Sequence, residues 1–347
     1  TLAPAVQRAA AKAMTGIRGA AIALDPKTGA ILAMVSQPTF DPNDLAGHDL
    51  SALDDNYKKL NTDPQRPLVN RSINGDLYPP GSTFKVITAA AALSSGEYTE
   101  DSMLPGPAVL ELPGTTASLP NMFPGACGAN DQVSFTRSMA ISCNTAFASV
   151  GMDIGADALR AQAEKFGFGD SLSVPMRVTP STIPAELNMP QLAQSSIGQF
   201  DVRVTPLQMA MVAAGVANDG AVMKPYLVQS VIGSDLSVIE TTDPQELSQA
   251  VTPDVAAQLT RMMEAVVTDG SGTRAQIDGV AVAGKSGTAQ HGEGRKPHAW
   301  FISFAPADDP QIAVAVIAED GGTTGSEIGG GRVAAPIARQ MMEARLK

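Results

Sequence analysis

The chain has 347 residues, 44% of them hydrophobic, with a formal net charge of −11, 32 glycines and 25 prolines. This length and hydrophobicity exclude a disordered chain and allow a large buried core. The acidity argues against a nucleic-acid partner, because no basic stripe exists to neutralise phosphates, and against adsorption to an anionic membrane surface. Keeping the domain soluble is the simplest role for the charge.

The sequence also bears on membrane and metal binding. Its longest apolar runs, residues 87–93 and 209–217, fall short of the roughly 18 residues that a spanning helix needs, and they predict core helices. No signal-peptide pattern opens the chain, which begins within a helix-like pattern, so we expect a fragment of a longer protein. Three scattered histidines (His48, His291, His298) and the absence of H-E-x-x-H predict no metal site or other cofactor.

Taken in chain order, the predicted elements place strands at both termini. Apolar runs at 19–25 and 30–35, joined by turn residues, predict a hairpin. Helices are predicted from Ser82 to about residue 94 and over residues 156–166, 206–218 and 333–346, and strands over residues 280–283, 300–304 and 312–317. We therefore expect an α+β fold whose sheet is built from both termini, with an inserted, mainly helical lobe. A cleft between the two parts is where ligands tend to bind.

The first candidate for chemistry is the S-x-x-K motif formed by Ser82 and Lys85. In the first turn of a helix these residues share a face, so Nζ can approach Oγ. A lysine that loses solvation near another cation falls in pKa and can accept the serine proton. The motif by itself is weak, since an N-cap serine followed by a solvated lysine has the same pattern.

Two further motifs follow in order. Ser142-Cys-Asn144 and Lys285-Ser286-Gly287 correspond to the S-D-N and K-T-G elements of penicillin-binding proteins and class A β-lactamases. Cysteine and serine replace the usual middle residues, but the hydroxyl, amide and ammonium groups are kept. Three motifs in this order make coincidence unlikely as an explanation.

With these motifs and the runs around them, the chain resembles the transpeptidase domain of class B penicillin-binding proteins from about residue 15 to 345. The supporting runs are YPPGSTFK at 78–85, SIGQ at 196–199, VTPLQMA at 204–210 and VAGKSGTAQ at 282–290. Among subgroups it is most similar to the short A type of actinobacteria. The resemblance implies an antiparallel sheet of about five strands flanked by helices. The sheet subdomain would comprise about residues 1–80 and 221–347, and the helical subdomain about residues 81–220.

The resemblance also implies roles for the motif residues. Ser82 is the expected nucleophile and Lys85 its base. Ser142 is expected to relay a proton to the leaving amine and to link Lys85 with Lys285. Asn144 is expected to hold an amide of the substrate peptide.

The third motif is expected to bind the substrate strand along a sheet edge. Backbone N–H groups of Ser82 and Thr288 would form the oxyanion hole, and Lys285 and Thr288 would face the terminal carboxylate. The expected substrate-binding residues along this edge are Ser286, Gly287, Thr288 and Gln290. A peptide would add there by β-augmentation.

Two other patterns suggest different enzymes. Residues 279–286 satisfy the P-loop pattern G-x-x-x-x-G-K-[ST], but the intervening Val-Ala-Val-Ala favours a strand and no helix signal follows. The run around Glu186 is similar to the class A β-lactamase loop that carries a deacylating base, but Pro184 occupies the position of that base. We therefore predict slow hydrolysis of a β-lactam adduct and expect a plain surface loop here.

The resemblance implies a D,D-transpeptidase that cross-links peptidoglycan stem peptides through an acyl-enzyme and is inhibited by β-lactams. The alternatives are a D,D-carboxypeptidase or endopeptidase, which differs in the acceptor, and a β-lactam sensor that does not turn over. The expected setting is the outer face of the cytoplasmic membrane, with an upstream anchor and pedestal and a glycosyltransferase among the partners.

This setting bears on the two cysteines. Cys127 and Cys143 are 16 positions apart, and disulfides persist outside the cytoplasm. We predict that they form a disulfide that braces the second motif. Separate buried thiols are the alternative, since free cysteine behaves as a small hydrophobe.

Overall fold

The computed structural model of the protein describes residues 1–292, 294–322 and 329–347. In these ranges the α-helices are α1 Pro4–Ala13, α2 Leu50–Thr62, α3 Lys85–Ser95, α4 Phe135–Ala140, α5 Asn144–Ile154, α6 Ala156–Lys165, α7 Met189–Ser195, α8 Pro206–Ala217, α9 Pro253–Thr268 and α10 Gly330–Leu346. The strands are β1 Gly19–Leu24, β2 Ile31–Gln37, β3 Met103–Pro105, β4 Val109–Glu111, β5 Ser118–Pro120, β6 Gln132–Ser134, β7 Ala221–Met223, β8 Ser230–Ile232, β9 Val238–Thr241, β10 Glu246–Gln249, β11 Ala283–Ala289, β12 His298–Ala305 and β13 Ile312–Ala318.

The central sheet has five strands in the order β11-β12-β13-β1-β2. Every neighbouring pair is antiparallel, and Gly19 of β1 lies opposite Ala318 of β13 and Gln37 of β2. The sheet thus joins the two ends of the chain, as predicted. Strand β11 forms one edge, so its outer side is not covered by another strand of the sheet.

Helices cover both faces of this sheet, which explains why its strands are continuous apolar runs. All residues of β1, β12 and β13 are buried. On one face Ala21 and Phe301 pack in a core with Val6 of α1 and Met341 of α10. Residues of the opposite face pack in a second core with helices α3 to α9. A strand covered on both faces needs apolar residues at successive positions, not at alternate ones.

Helices α3 to α8 lie in the chain between the two halves of the sheet, as predicted for the helical lobe. Helix α9 was not assigned from the sequence, although Leu259, Met262 and Val266 form a buried stripe at helical spacing. The hydroxyl of Thr252 caps it by accepting from the Val255 N–H. This helix contacts both β11 and α4, and so connects the sheet edge with the helices that carry the second motif.

Two predicted elements begin later than expected. The α-helix predicted to start at Ser82 starts at Lys85, because residues Gly81–Phe84 form a 3₁₀ turn. The strand predicted over residues 280–283 begins only at Ala283, because the Val280 N–H turns back to Ile277 O at 3.1 Å. In the described ranges, each helix is too short or too polar to cross a bilayer.

Candidate active site

Ser82 lies in the 3₁₀ turn that precedes α3, pressed against the edge strand β11. Gly81 has a φ of +53°, and a Cβ atom there would lie 2.8 Å from the Thr288 carbonyl oxygen. A Cβ at Gly287 would lie 3.0 Å from the Pro80 oxygen. Only glycine permits this approach without displacing the backbone. The two glycines therefore hold the Ser82 backbone beside that of Thr288.

Lys85 is completely buried beneath this turn. Its Nζ donates to the Ser142 carbonyl oxygen at 2.8 Å, to Asn144 Oδ1 at 2.8 Å and to Ser142 Oγ at 3.3 Å. Within the described part of the chain the Ser82 hydroxyl has no hydrogen-bond partner, and it lines the cleft. Lys85 thus connects the first motif with the second.

Lys285 reaches the same hydroxyl from the other side. Its Nζ donates to Ser142 Oγ at 2.9 Å and to the Ser286 carbonyl oxygen at 2.9 Å. The hydroxyl of Ser142 therefore lies between two lysine ammonium positions, from residues 57 and 143 positions away in sequence. The structure brings all three predicted motifs together through this one oxygen.

Both lysines are buried, with no carboxylate partner among the described residues, and burial lowers their pKa values. Loss of hydration, followed by repulsion from Lys285, lowers the pKa of Lys85 well below 10.5. Loss of hydration lowers the pKa of Lys285 to about 7. Burial disfavours the charged form of an amine, and carbonyl and hydroxyl oxygens compensate less than a carboxylate would. The lowered pKa makes Lys85 easier to deprotonate and suits it to accept a proton.

The predicted disulfide between Cys127 and Cys143 is confirmed. It adjoins Ser142, whose φ of +61° places it in the left-handed region that few residues other than glycine adopt. A covalent link at the next residue helps to hold this conformation at the junction of α4 and α5.

Asn121 is a site residue that the sequence did not reveal. Its Oδ1 accepts from the backbone N–H groups of Asn144 at 3.0 Å and Thr145 at 3.2 Å, at the start of α5. It thereby satisfies helix N–H groups that lack a partner in the helix. Asn121 precedes its partners by more than 20 residues, so no local pattern marks it.

A cleft of about 280 Å³ opens above these residues. Among the predicted residues, Ser82, Asn144, Thr288 and Gln290 line it. The structure places the remaining members of the predicted set elsewhere. The buried Ser286 hydroxyl lies 2.6 Å from Ser271 Oγ. Lys85, Ser142 and Lys285 lie beneath the cleft, and Gly287 packs against Pro80 and Trp300. One wall is formed by the β4–β5 hairpin, which was not predicted.

A second buried polar group lies at the approach to Ser82. Glu319 Oε1 accepts from Tyr78 OH at 2.7 Å and from Arg71 Nε at 2.8 Å. Arg18 Nε lies 2.6 Å from Glu319 Oε2. Loss of hydration, with the nearby carboxylate, raises the pKa of Tyr78. This group ties the segment before the nucleophile to the end of β13.

Neither competing pattern has the geometry that its enzyme requires. Lys285 and Ser286 of the P-loop pattern lie within β11, with no helix after it. Glu186 is exposed on a loop and does not line the cleft. The surface loop expected around Glu186 is confirmed, whereas only Ala283 of the expected strand residues 280–283 belongs to β11.

The model of the penicillin-binding protein transpeptidase domain matches residues 19–343. The chain belongs to this family. It is 48% identical to the peptidoglycan D,D-transpeptidase PbpA of Mycolicibacterium smegmatis, over all of this chain and 72% of that protein. The protein of the same name from Mycobacterium tuberculosis is 44% identical with the same coverage.

The fold of a penicillin-binding protein transpeptidase domain is also confirmed by solved structures. The penicillin G acyl-enzyme complex of penicillin-binding protein A from M. tuberculosis superposes with a TM-score of 0.93. It is 44% identical and covers all of this chain and 80% of that one. The class B resemblance inferred from the sequence is therefore confirmed.

Proposed function

We propose that this chain is a D,D-transpeptidase that cross-links peptidoglycan stem peptides through an acyl-enzyme on Ser82. The observation that carries the proposal is the hydrogen-bonded chain from buried Lys85 through Ser142 to buried Lys285, beneath a serine in an open cleft. Its relatives are named peptidoglycan D,D-transpeptidases, and the acyl-enzyme of a similar protein with penicillin G has been solved.

Lys85, whose pKa is lowered by burial, is the base for acylation. Its Nζ takes the Ser82 proton as Oγ attacks the carbonyl carbon of the penultimate D-alanine. The developing oxyanion accepts from the backbone N–H groups of Ser82 and Thr288, which the close approach of their chains supports. When the C–N bond breaks, the leaving D-alanine amine receives a proton relayed by Ser142.

The second half-reaction uses the same groups in reverse. The amine of an acceptor peptide attacks the acyl-enzyme carbonyl, its proton passes back to the lysine system, and Ser82 Oγ leaves. Asn144 holds the donor amide during both steps, while Lys285 and Thr288 bind the terminal carboxylate until it leaves with D-alanine in the first. Cleavage of a β-lactam ring leaves its amine attached to the acyl group, which stays in the cleft. No base from the Glu186 loop reaches the cleft to activate water, so the adduct persists.

The reaction belongs outside the cytoplasmic membrane, where peptidoglycan is cross-linked. The Cys127–Cys143 disulfide is in keeping with that oxidising setting. A membrane anchor and a pedestal in the full-length protein would hold the domain near its substrate. The natural partner is a glycosyltransferase that supplies the glycan strands.

Intact-mass spectrometry after incubation with penicillin tests the proposal. The wild type should gain the mass of one penicillin for at least minutes, and Ser82→Ala should gain none. A synthetic donor ending in D-Ala-D-Ala should then give amide product when an amine acceptor is added. Rapid turnover of penicillin would indicate a β-lactamase, and hydrolysis of the donor without amide product would indicate a carboxypeptidase.

A further inference from the structure

A second cavity, larger than the catalytic cleft, lies next to it. It has a volume of about 790 Å³ and lies beyond the end of β11, where Gln290 lines both it and the cleft. The two are also adjacent at Gln199, which lines the cleft, and Phe200, which lines the cavity. The chemistry lies in the smaller space, since Ser82 lines only that one. The larger cavity therefore extends the substrate path past Gln290.

This cavity is rich in arginine, although the protein as a whole is acidic. Among the described residues, its lining includes two carboxylates, Asp76 and Glu319, and these arginines: Arg18, Arg66, Arg71, Arg203 and Arg295. Glu319 is shared by Arg18 and Arg71. Each of the other arginines is paired with one aspartate. A concave wall with surplus cations concentrates a positive potential that attracts anions.

Two of these arginines are free to change partners. The side chains of Arg66 and Arg295 are 43% and 55% exposed, and they pair with Asp76 and Asp320 at the surface. Such exposed pairs contribute little, because water screens them. The forked guanidinium matches an incoming carboxylate with two parallel hydrogen bonds. Arg71 is 3% exposed and is held by an ion pair with Glu319 and by hydrogen bonds to backbone oxygens. It therefore keeps a fixed position at the floor of the cavity.

The direction of the edge strand relates this cavity to one part of the substrate. A peptide that adds antiparallel to β11 has its carboxyl end near Lys285 and its amino end beyond Gln290. Two residues of extended chain cover about 7 Å. This is the distance from Thr288 on β11 to Gln290, one residue past the end of the strand. Residues two or three positions before the scissile bond therefore arrive at the arginine-lined cavity.

We propose that this cavity binds the side carboxylates of the donor stem peptide on the amino-terminal side of the scissile bond. The inference rests on the proposed transpeptidase function and adds a specificity site to it. Arg66 and Arg295 act as the exchangeable carboxylate ligands. The neighbouring rings of His291 and His298 stack at 3.6 Å, and burial lowers the pKa of His298 to about 3, so His298 adds no charge near neutral pH.

Competition with a fluorescent penicillin tests this site. The probe is an acetylated pentapeptide, Ala-γ-D-Glu-meso-diaminopimelate-D-Ala-D-Ala, and the same peptide with both side carboxylates converted to carboxamides. In the wild type we expect the carboxylate peptide to slow acylation with an inhibition constant about tenfold lower than that of the carboxamide. The double variant Arg66→Gln/Arg295→Gln should bind both peptides equally, while its acylation by penicillin alone is unchanged.

The matched control is Arg137→Gln/Arg261→Gln, which removes two arginines from exposed pairs elsewhere. It should keep the tenfold preference. Equal inhibition by the two peptides in the wild type, no inhibition by either, or a preference that survives Arg66→Gln/Arg295→Gln would overturn the cavity proposal and leave the transpeptidase proposal standing. Failure of penicillin to acylate the wild type would overturn the transpeptidase proposal itself.

Discussion

The molecule buries charged groups in two neighbouring places, with opposite results. Beneath the cleft, Lys85 and Lys285 are completely buried and their hydrogen-bond partners are neutral oxygens. At the approach to Ser82, Arg71 is almost as deeply buried but pairs with Glu319. Burial lowers the pKa values of the lysines, whereas the arginine keeps its proton and a carboxylate compensates its charge.

The same fold thus holds a reactive site, the two buried lysines, and a supporting ion pair, Arg71 with Glu319. A buried amine with neutral partners is a base, because its charged form is the unstable one. A buried guanidinium with a carboxylate is a fixed connection, because breaking it leaves an uncompensated charge. The partner therefore determines the role: neutral oxygens leave a buried amine able to act as a base, and a carboxylate makes a buried cation part of a fixed ion pair.

The largest effect is expected from Lys85→Arg. Arginine keeps its proton, so the variant lacks a base for Ser82, and the acylation rate constant with penicillin should fall by roughly 10²- to 10⁴-fold. Lys285→Arg retains the positive charge at the carboxylate end and should lose distinctly less. Stopped-flow acylation of both variants provides the measurement. Wild-type rates in Lys85→Arg would exclude Lys85 as the base.

Glu319→Gln tests the supporting group. It leaves the Arg71 guanidinium buried without a counter-charge, which should lower the free energy of unfolding by about 3–5 kcal/mol. The control Glu343→Gln removes a partly exposed partner of Arg339 in α10 and should cost less than about 1 kcal/mol. Guanidinium denaturation gives both values. Equal, small losses would mean that the buried group does not brace the fold.

Removing the disulfide tests how the second motif is held. For a loop of this length, Cys127→Ala/Cys143→Ala should lower the free energy of unfolding by roughly 3 kcal/mol in the chain-entropy model. Because Ser142 adjoins Cys143 at a positive φ, acylation should slow as well. A variant with reduced stability but wild-type acylation would show that the turn holds Ser142 without the disulfide.

A smaller effect is expected in the pH dependence of stability. The native pKa of Lys285 is about 7, below its unfolded value of 10.5. Between these values the unfolded chain binds a proton that the native state does not, so stability rises with pH. Lys285→Met removes this contribution. The difference in the free energy of unfolding between the wild type and the variant should therefore increase by up to about 1.4 kcal/mol per pH unit within that window. A constant difference would mean that Lys285 is not shifted.

More of the reactive site than of its supporting residues could be predicted from the sequence. Ser82, Lys85, Ser142 and Lys285 occur in short motifs with fixed spacing, and each motif carries a recognisable chemistry. The convergence of Lys85 and Lys285 on the Ser142 hydroxyl required the fold, because contacts over 57 and 143 positions leave no local trace. The resemblance to class B penicillin-binding proteins implied that Ser142 links Lys85 with Lys285.

Supporting residues could not be found in this way. Glu319 and Asn121 are single polar residues, and their partners come from distant parts of the chain. Helix α9 did carry a local signal, the buried stripe that includes Leu259 and Met262. The 3₁₀ turn at Ser82 was missed because its geometry is imposed by β11 through Gly81, not by the local helix pattern.

The central claim is that burial lowers the pKa of Lys85 and thereby makes it the base for Ser82. The most direct test is the pH dependence of the rate constant for acylation of Ser82 by penicillin, with intact mass confirming the adduct at each pH. Since burial lowers the pKa of Lys85 well below 10.5, the rate constant should reach its plateau well below pH 10.5. A rate constant that continues to rise tenfold per pH unit up to about pH 10 would show that the lysine has its ordinary pKa, and would contradict the claim.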